Sequence, residues 1–141
     1  MLLIEDDEDI RAATVECLEE EGFTVVGAES ADEGLAQLRG GLTPTVILLD
    51  LMMPDRTGWD FRRDQLADRT LRNIPVIVLS ASRIGEDSLR QRMGHVDLVP
   101  KPFSIDTLLE AIARAISPPV AGTAVTNPLP GPASPVDGVF P

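Results

Sequence analysis

Cysteine, histidine and long hydrophobic runs are scarce in this sequence, and each scarcity excludes a class of protein. The 141 residues include one cysteine, Cys17, so no disulfide can form within the chain, which suits a reducing compartment. The one histidine, His95, cannot by itself build a histidine-based metal site or a catalytic relay. No apolar run approaches the roughly 20 residues that a membrane-spanning helix needs. The sequence also lacks a Ser-His-Asp set, a Walker loop and a Gly-x-Gly-x-x-Gly motif.

Basic residues are also few. Twelve Lys and Arg stand against 23 Asp and Glu, which leaves a formal net charge of −11. Such a balance repels nucleic acid and anionic membranes, so we expect direct binding to neither. Hydrophobic residues make up 43% of the chain, enough for a buried core. The N-terminus turns acidic at once and is unlike a signal peptide, so we expect a cytoplasmic domain.

The composition changes near Ser117. Residues 117–141 contain seven prolines and three glycines, and Asp137 is the only charged side chain among them. This composition predicts a flexible tail, with a docking segment for a partner as the alternative. We therefore expect one folded domain over residues 1–116, with no output domain in this chain.

Five short apolar runs alternate with amphipathic segments in the remaining part. The runs predict buried strands at residues 2–4, 23–27, 46–49, 76–79 and 96–99. Strands that alternate with helices predict an α/β fold with right-handed crossovers. At this length we expect a doubly wound, five-stranded parallel sheet of the flavodoxin-like (βα)5 type, with strand order 2-1-3-4-5.

Helical spacing and capping signals place five helices between and after these strands. Ile10, Ala13, Thr14, Cys17 and Leu18 fall on one predicted helix face, which makes Cys17 a small core residue. A capping box at residues 30–33 opens the second helix. The third covers about residues 58–66, the fourth about 86–93, and the fifth follows an N-cap at residue 104.

Acidic residues follow the first and third predicted strands. Glu5 and Asp6 come after the first strand, and Asp50 after the third. These strands flank the point where the strand order reverses, which is where such sheets bind their ligands. Three carboxylates at short range repel one another unless a cation is present. An oxygen-only ligand set without His or Cys suits Mg²⁺.

In its motifs the sequence resembles the receiver domain of two-component response regulators, of the chemotaxis-type fold. The matching segments are Leu-Leu-Ile-Glu-Asp-Asp at 2–7, Leu-Leu-Asp-Leu-Met-Met-Pro at 48–54 with Gly58 beyond it, Val-Leu-Ser-Ala at 78–81 and Lys-Pro-Phe at 101–103. The resemblance covers residues 1–116. It implies a phosphoprotein that acts in phosphorelay signal transduction and whose only chemistry is its own phosphorylation and slow dephosphorylation.

The resemblance implies a role for each matching residue at the predicted metal site. Asp50 accepts a phosphoryl group from a phosphohistidine of a histidine kinase or histidine phosphotransfer protein. Asp6, Asp50 and the backbone carbonyl of Met52 ligate Mg²⁺, and Glu5 helps through water. A carboxylate nucleophile gives a labile acyl phosphate, which suits a reversible signal.

Two further residues are implied to bind phosphoryl oxygens. Ser80 offers a hydroxyl, and Lys101 offers an ammonium group. Lys101 is the only lysine beside eleven arginines, which is typical of a position where a compact charge must reach a phosphate. The resemblance also implies a cis peptide between Lys101 and Pro102.

Four positions depart from the common receiver pattern. Ser80 replaces the commoner Thr, and Leu98 stands where many receivers have an aromatic ring that turns inward. Met52 and Ser82 border the expected phosphoryl group, and Met52 cannot position a hydrolytic water by hydrogen bonding. These departures predict a weaker or differently built switch and a long-lived phosphoryl group.

Signalling would pass through the surface around the fourth helix, fifth strand and fifth helix, which would bind a downstream protein or a second copy. A degenerate receiver that acts as a phosphorylation-independent interaction module is the alternative. A magnesium-dependent phosphatase of the haloacid dehalogenase type is disfavoured, because that family has a second Asp where this chain has Met52.

Overall fold

In the computed structural model, residues 1–51, 57–80, 86–94 and 96–116 are described. Five strands form one parallel sheet in the order β2-β1-β3-β4-β5. They are β1 (Leu2–Ile4), β2 (Val26–Ala28), β3 (Ile47–Asp50), β4 (Val76–Ser80) and β5 (Asp97–Pro100). Every residue of β1, β3 and β4 is buried, as expected of parallel strands covered on both faces. The predicted fold class and strand order are confirmed.

Five helices within the described ranges connect and cover these strands. They are α1 (Glu8–Glu20), α2 (Ala31–Arg39), α3 (Gly58–Ala67), α4 (Glu86–Met93) and α5 (Ile105–Ile116). The Ser30 side chain accepts a hydrogen bond from the Glu33 backbone and so caps α2, as its capping box predicts. Thr57 and Asp60 form a reciprocal capping box at the start of α3. None of the helices in the described part of the chain is long and apolar enough to cross a membrane.

The buried side chains form two clusters, one on each face of the sheet. Leu2 and Ile4 belong to the cluster under α2, α3 and α4, whereas Leu3 between them belongs to the cluster under α1 and α5. Alternate residues of a strand point to opposite faces, so one short apolar run supplies both clusters. The sheet is thereby fixed between two helical layers, which leaves the strand ends available for a site.

Some strand boundaries differ from the prediction. Phe23 packs against the cluster under α1 and α5 but precedes β2, which begins three residues later than expected. In contrast, β3 and β4 end at Asp50 and Ser80, the polar residues expected at these strand ends, because Asp50 pairs with Leu79 and Ser80 with Pro100. Polar residues therefore extend the sheet at its carboxyl edge, where hydrophobicity alone places no strand.

The predicted apolar face of α1 is confirmed at Leu18 and wrong at Cys17 and Ile10. Cys17 is exposed, and Ile10 keeps 43% of its surface accessible, so neither is a core residue. Leu18 is the buried residue of this helix, and Val15 packs beside it. With so few large apolar residues, two neighbouring faces of α1 fit the helical spacing almost equally well, and the sheet selects the one with Val15 and Leu18.

Several predictions concern residues outside the described ranges. They include the proposed tail at residues 117–141 and the absence of a catalytic role for His95, besides the predictions at Met52 and Ser82. The division of the chain at residue 116 therefore stays a prediction.

Candidate functional site

Polar side chains stand where β1, β3 and β4 end. Glu5 directly follows β1, Asp50 is the last residue of β3, and Ser80 is the last residue of β4. All three are buried, with 2%, 6% and 1% of their surface exposed. Because β1 and β3 are neighbours in the sheet, Glu5 and Asp50 lie side by side, and Ser80 follows on the next strand.

Three carboxylates meet at this edge. One carboxylate oxygen each from Glu5, Asp6 and Asp50 lies within 4.8 Å of the other two, and we call these residues the carboxylate cluster. Glu5 and Asp50 are buried, whereas Asp6 is exposed and closes the cluster toward solvent. Hard oxygen donors, few in number and open to water on one side, are the ligand set that Mg²⁺ prefers. The residues present therefore fit a magnesium ion.

Lys101 follows β5 and reaches into the cluster. Its Nζ donates a hydrogen bond of 2.8 Å to Glu5 Oε2 and lies 3.5 Å from Asp50 Oδ2. The backbone N–H of Lys101 donates to the Ser80 carbonyl at 2.7 Å, which ties the β5 end to the β4 end. The peptide between Lys101 and Pro102 is cis, as the family resemblance implies.

The environment of Lys101 favours its charged form. Burial alone would lower the pKa of Lys101, but the hydrogen bond to Glu5 and the negative charges of Asp50 and Glu5 outweigh it. The net result is a pKa above the ordinary value of 10.5. Lys101 therefore remains a cation at neutral pH and can bind a further anionic group in addition to the two carboxylates.

The backbone around Glu5 is held from several sides. Its N–H donates to the Ala28 carbonyl at 3.0 Å, and its Oε1 accepts from the Asp7 N–H at 3.2 Å. Its carbonyl accepts a hydrogen bond of 2.8 Å from Nη1 of Arg11 on α1. No motif in the sequence indicates Arg11, although it is the only basic residue of a helix that carries five acidic ones.

Gly58 of the recognised motif has a steric reason to be glycine. Its N–H donates to the Leu51 carbonyl at 2.9 Å, at the start of α3. A Cβ at this position would lie 2.6 Å from the Asp50 carbonyl oxygen and 2.9 Å from the Leu51 Cα. Such distances do not occur without a backbone shift, so a side chain here would displace the backbone that carries Asp50.

Two of the departures from the receiver pattern fall outside the described residues. They are Met52, whose carbonyl the resemblance makes a metal ligand, and Ser82. Leu98 lies within the described part, half-buried on β5, and packs against the cluster under α2, α3 and α4. Near that cluster, the guanidinium of Arg92 stacks over the ring of Trp59 at 3.7 Å and joins α4 to α3.

A separate buried polar pair lies between α3 and α4, and no pattern in the sequence indicates it. Arg62 is 6% exposed and Gln65 is fully buried. Arg62 Nε donates to the Met93 carbonyl at 2.8 Å, and Nη1 donates to Gln65 Oε1 at 2.8 Å. Gln65 in turn donates to the carbonyls of Leu71 and Ile74. Burial lowers the pKa of Arg62 from its ordinary value, though arginine stays charged.

The arrangement defines a class of protein: a doubly wound sheet with an acidic pocket and one lysine at its carboxyl edge. The family model described as "Response regulator receiver domain" matches residues 1–113. The chain therefore belongs to the receiver domain family of two-component response regulators. Receiver domains are signalling domains rather than enzymes in the usual sense, and they bind Mg²⁺ at an acidic pocket, for which Glu5, Asp6 and Asp50 are present here.

Individual relatives agree with this assignment. The chain is 37% identical over 122 residues to the phosphate regulon transcriptional regulatory protein PhoB of Escherichia coli, covering 84% of this chain and 53% of that protein. It is 37% identical over 117 residues to the transcriptional regulatory protein CpxR of the same species, covering 82% and 48%. The chain thus spans about half the length of these curated relatives.

Solved structures show the same fold. The chemotaxis protein CheY4 of Vibrio cholerae superposes with a TM-score of 0.74 at 26% identity, over 81% of this chain and 95% of that one. The receiver domain of the Francisella response regulator 1452 gives a TM-score of 0.71 at 30% identity, over 82% and 93%.

Proposed function

We propose that Asp50 accepts a phosphoryl group from a phosphohistidine of a histidine kinase or histidine phosphotransfer protein, with Mg²⁺ as cofactor. The observation that carries the proposal is the convergence on Asp50. Its carboxylate lies within 4.8 Å of those of Glu5 and Asp6 and 3.5 Å from the ammonium of Lys101. A nucleophile among ligands for a dication, with a cation beside it, is what phosphoryl transfer requires.

The proposed transfer exchanges one bond to phosphorus for another. An Asp50 carboxylate oxygen forms a bond to phosphorus while the phosphorus–nitrogen bond of the phosphohistidine breaks, and the imidazole leaves with the electron pair. Lys101 and Ser80 bind oxygens of the transferred group. Asp6, Asp50 and the Met52 carbonyl would hold the magnesium ion, with Glu5 acting through water. The bound ion supplies neutralisation of the charge that gathers on the phosphoryl oxygens.

The two hydrogen bonds of Glu5 fit a supporting role. Its Oε2 is engaged by Lys101 and its Oε1 by the Asp7 N–H. Both oxygens are thus occupied by the protein, which favours contact with the ion through water over direct ligation. Glu5 then orients Lys101 toward the phosphoryl group.

Intact-mass measurement after incubation with acetyl phosphate and Mg²⁺ tests the proposal. We expect an adduct of one phosphate on the wild-type chain and none on Asp50→Asn. Asp106→Asn is the matched control, because Asp106 is an exposed aspartate on α5 and should leave the adduct unchanged.

The alternatives give different outcomes in the same experiment. A phosphorylation-independent interaction module gives no adduct on the folded wild-type chain. A phosphatase turns over unrelated phosphate esters without accumulating an adduct. An adduct that persists in Asp50→Asn contradicts the assignment of the acceptor.

We further propose that phosphorylation alters the surface of α4, β5 and α5, which binds a downstream protein or a second copy of the chain. Leu98 on β5 offers no ring to turn inward, so the signal would pass through the backbone contact between Lys101 and Ser80 and the packing of α3 against α4. The shift is between two existing populations, so it requires a partner that binds them unequally.

The phosphoryl group is proposed to be long-lived, because Met52 cannot orient a water by hydrogen bonding. A dephosphorylation half-life of seconds would contradict this.

Because histidine kinases phosphorylate their histidine with ATP, the reaction is proposed to occur in the cytoplasm. The division into a domain of residues 1–116 and a tail of residues 117–141 is part of the same proposal.

A further inference from the structure

The side chain of Arg11 binds a backbone carbonyl although acidic side chains lie on the same helix. It is the only basic residue of α1, and the helix offers five acidic side chains. Within the described residues its guanidinium forms no ion pair. It donates instead a hydrogen bond of 2.8 Å to the backbone carbonyl of Glu5, six residues earlier in the chain. A charged donor on a neutral carbonyl forms a stronger, more directional bond than a neutral donor would. Arg11 therefore fixes one particular peptide group.

That peptide group joins two members of the carboxylate cluster. The amide unit is planar, so fixing the Glu5 carbonyl also fixes the N–H and Cα of Asp6. The carboxylate of Glu5 is separately held by Asp7 and Lys101. The Asp6 carboxylate, in contrast, has no hydrogen bond or ion pair within the described part of the chain. Its direction depends on the backbone that Arg11 holds.

The path of the Arg11 side chain depends on a glycine. The aliphatic part of Arg11 crosses Gly27 of β2, where a Cβ would lie 3.1 Å from Arg11 Cδ and 3.4 Å from Cγ. The 3.1 Å distance is tighter than most Cβ contacts, so a side chain at this position requires the Arg11 side chain to shift by a few tenths of an ångström. Gly27 and Arg11 thus act together, although one lies on the edge strand and the other on α1.

We propose that Arg11 is a positioning residue for the magnesium pocket, which aims the Asp6 carboxylate by holding the Glu5–Asp6 peptide. The inference rests on the proposed function, because it assigns Asp6 to the ion. Groups that orient metal ligands typically contribute about 10-fold or more to metal affinity. We therefore expect Arg11→Gln to weaken Mg²⁺ binding about 10-fold.

The direction in which the Mg²⁺ affinity changes in Arg11→Gln distinguishes a positioning role of Arg11 from a purely electrostatic one. Removal of a positive charge near three carboxylates lowers the repulsion that Mg²⁺ meets, so a purely electrostatic role predicts tighter binding in Arg11→Gln. The positioning role predicts weaker binding. Arg11→Lys keeps the charge and one donor, so it should recover part of the affinity. Gly27→Ala should weaken binding in the same direction by less, with no change in charge.

The experiment is calorimetric titration of the full chain with magnesium chloride, together with thermal unfolding of each variant to confirm folding. Arg39→Gln is the charge-matched control, because Arg39 lies at the exposed end of α2 and pairs with Asp68 at 3.7 Å. A second readout is the rate of phosphorylation by acetyl phosphate at increasing Mg²⁺. Arg11→Gln should need about 10-fold more Mg²⁺ for half-maximal rate and reach the wild-type plateau.

The outcomes are distinguishable. Failure of the wild-type chain to bind Mg²⁺ refutes the proposed function itself. If the wild-type chain binds Mg²⁺ but Arg11→Gln binds it as tightly or more tightly, only the role of Arg11 is overturned. Should Arg11→Gln fail to fold, Gly27→Ala and Arg11→Lys decide the question, since wild-type affinity in both contradicts positioning.

Discussion

At the carboxyl edge of the sheet, three carboxylates lie close together, and two of them, those of Glu5 and Asp50, face the ammonium group of Lys101. Between α3 and α4, the guanidinium of Arg62 is surrounded by the Met93 carbonyl and the Gln65 amide. Both regions bury charge, and both join elements far apart in the chain. They differ in composition: the carboxylate cluster gathers charges of one sign, whereas the pair of Arg62 and Gln65 places donors opposite acceptors.

This difference distinguishes a ligand-binding site, the carboxylate cluster, from a stabilising contact between helices, the pair of Arg62 and Gln65. A buried donor opposite a buried acceptor adds stability and leaves no requirement for a ligand. Carboxylates gathered at short range oppose folding and become favourable when a cation binds. Mutations in the two regions should therefore change stability in opposite directions.

The largest effect is expected at Arg62. Arg62→Ala removes the partners of the Met93 carbonyl and of Gln65 in a buried region, which should lower the free energy of unfolding by about 3 kcal/mol. Urea unfolding measures the change. The neighbouring Arg63, 69% exposed and in surface pairs with Asp60 and Asp64, is the control, and Arg63→Ala should change stability by less than about 0.5 kcal/mol. If Arg62→Ala lowers the free energy of unfolding by less than about 1 kcal/mol, the pair of Arg62 and Gln65 does not stabilise the contact between α3 and α4.

A smaller effect of opposite sign is expected at Asp6. Without Mg²⁺, Asp6→Asn should raise Tm by about 3 °C, because it relieves repulsion from Glu5 and Asp50. Mg²⁺ at ten times its Kd should stabilise the wild-type chain by about 1.4 kcal/mol, and this gain should vanish in Asp6→Asn. Thermal unfolding with and without Mg²⁺ measures both. A variant that is less stable than wild type in EDTA would place Asp6 among the structural residues.

The smallest effect concerns the pH dependence of Lys101. Its pKa in the folded chain is above the ordinary value of 10.5, so its pairing stabilises the fold fully below that pH. The contribution is lost as the pH rises through the folded pKa. As the only lysine, its side-chain methylene signals can be followed by NMR without ambiguity. The midpoint should lie above 10.5 in the wild type and fall in Asp50→Asn; a midpoint below 10.5 would mean that burial outweighs the carboxylates.

The parts of the molecule that were predictable are those with a local pattern. Consecutive apolar residues define β1 and β3, and the topology of alternating strands and helices then brings Glu5 and Asp50 to one edge. The contacts of Arg62 with Met93 and of Arg11 with Glu5 join residues 31 and six positions apart, and no periodicity records them. The face of α1 was assigned wrongly at Cys17 for a related reason, because the sheet rather than the helical spacing decides whether Cys17 is buried.

The proposal that Asp50 is the acceptor is best tested by locating the phosphoryl group within the carboxylate cluster. Borohydride reduces an aspartyl phosphate to homoserine, so peptide mapping after phosphorylation and reduction identifies the acceptor. We expect homoserine at position 50 in the presence of Mg²⁺ and none in EDTA. Reduction at Asp6 or at any other aspartate, or an unmodified position 50 in a chain that carries phosphate, would contradict it.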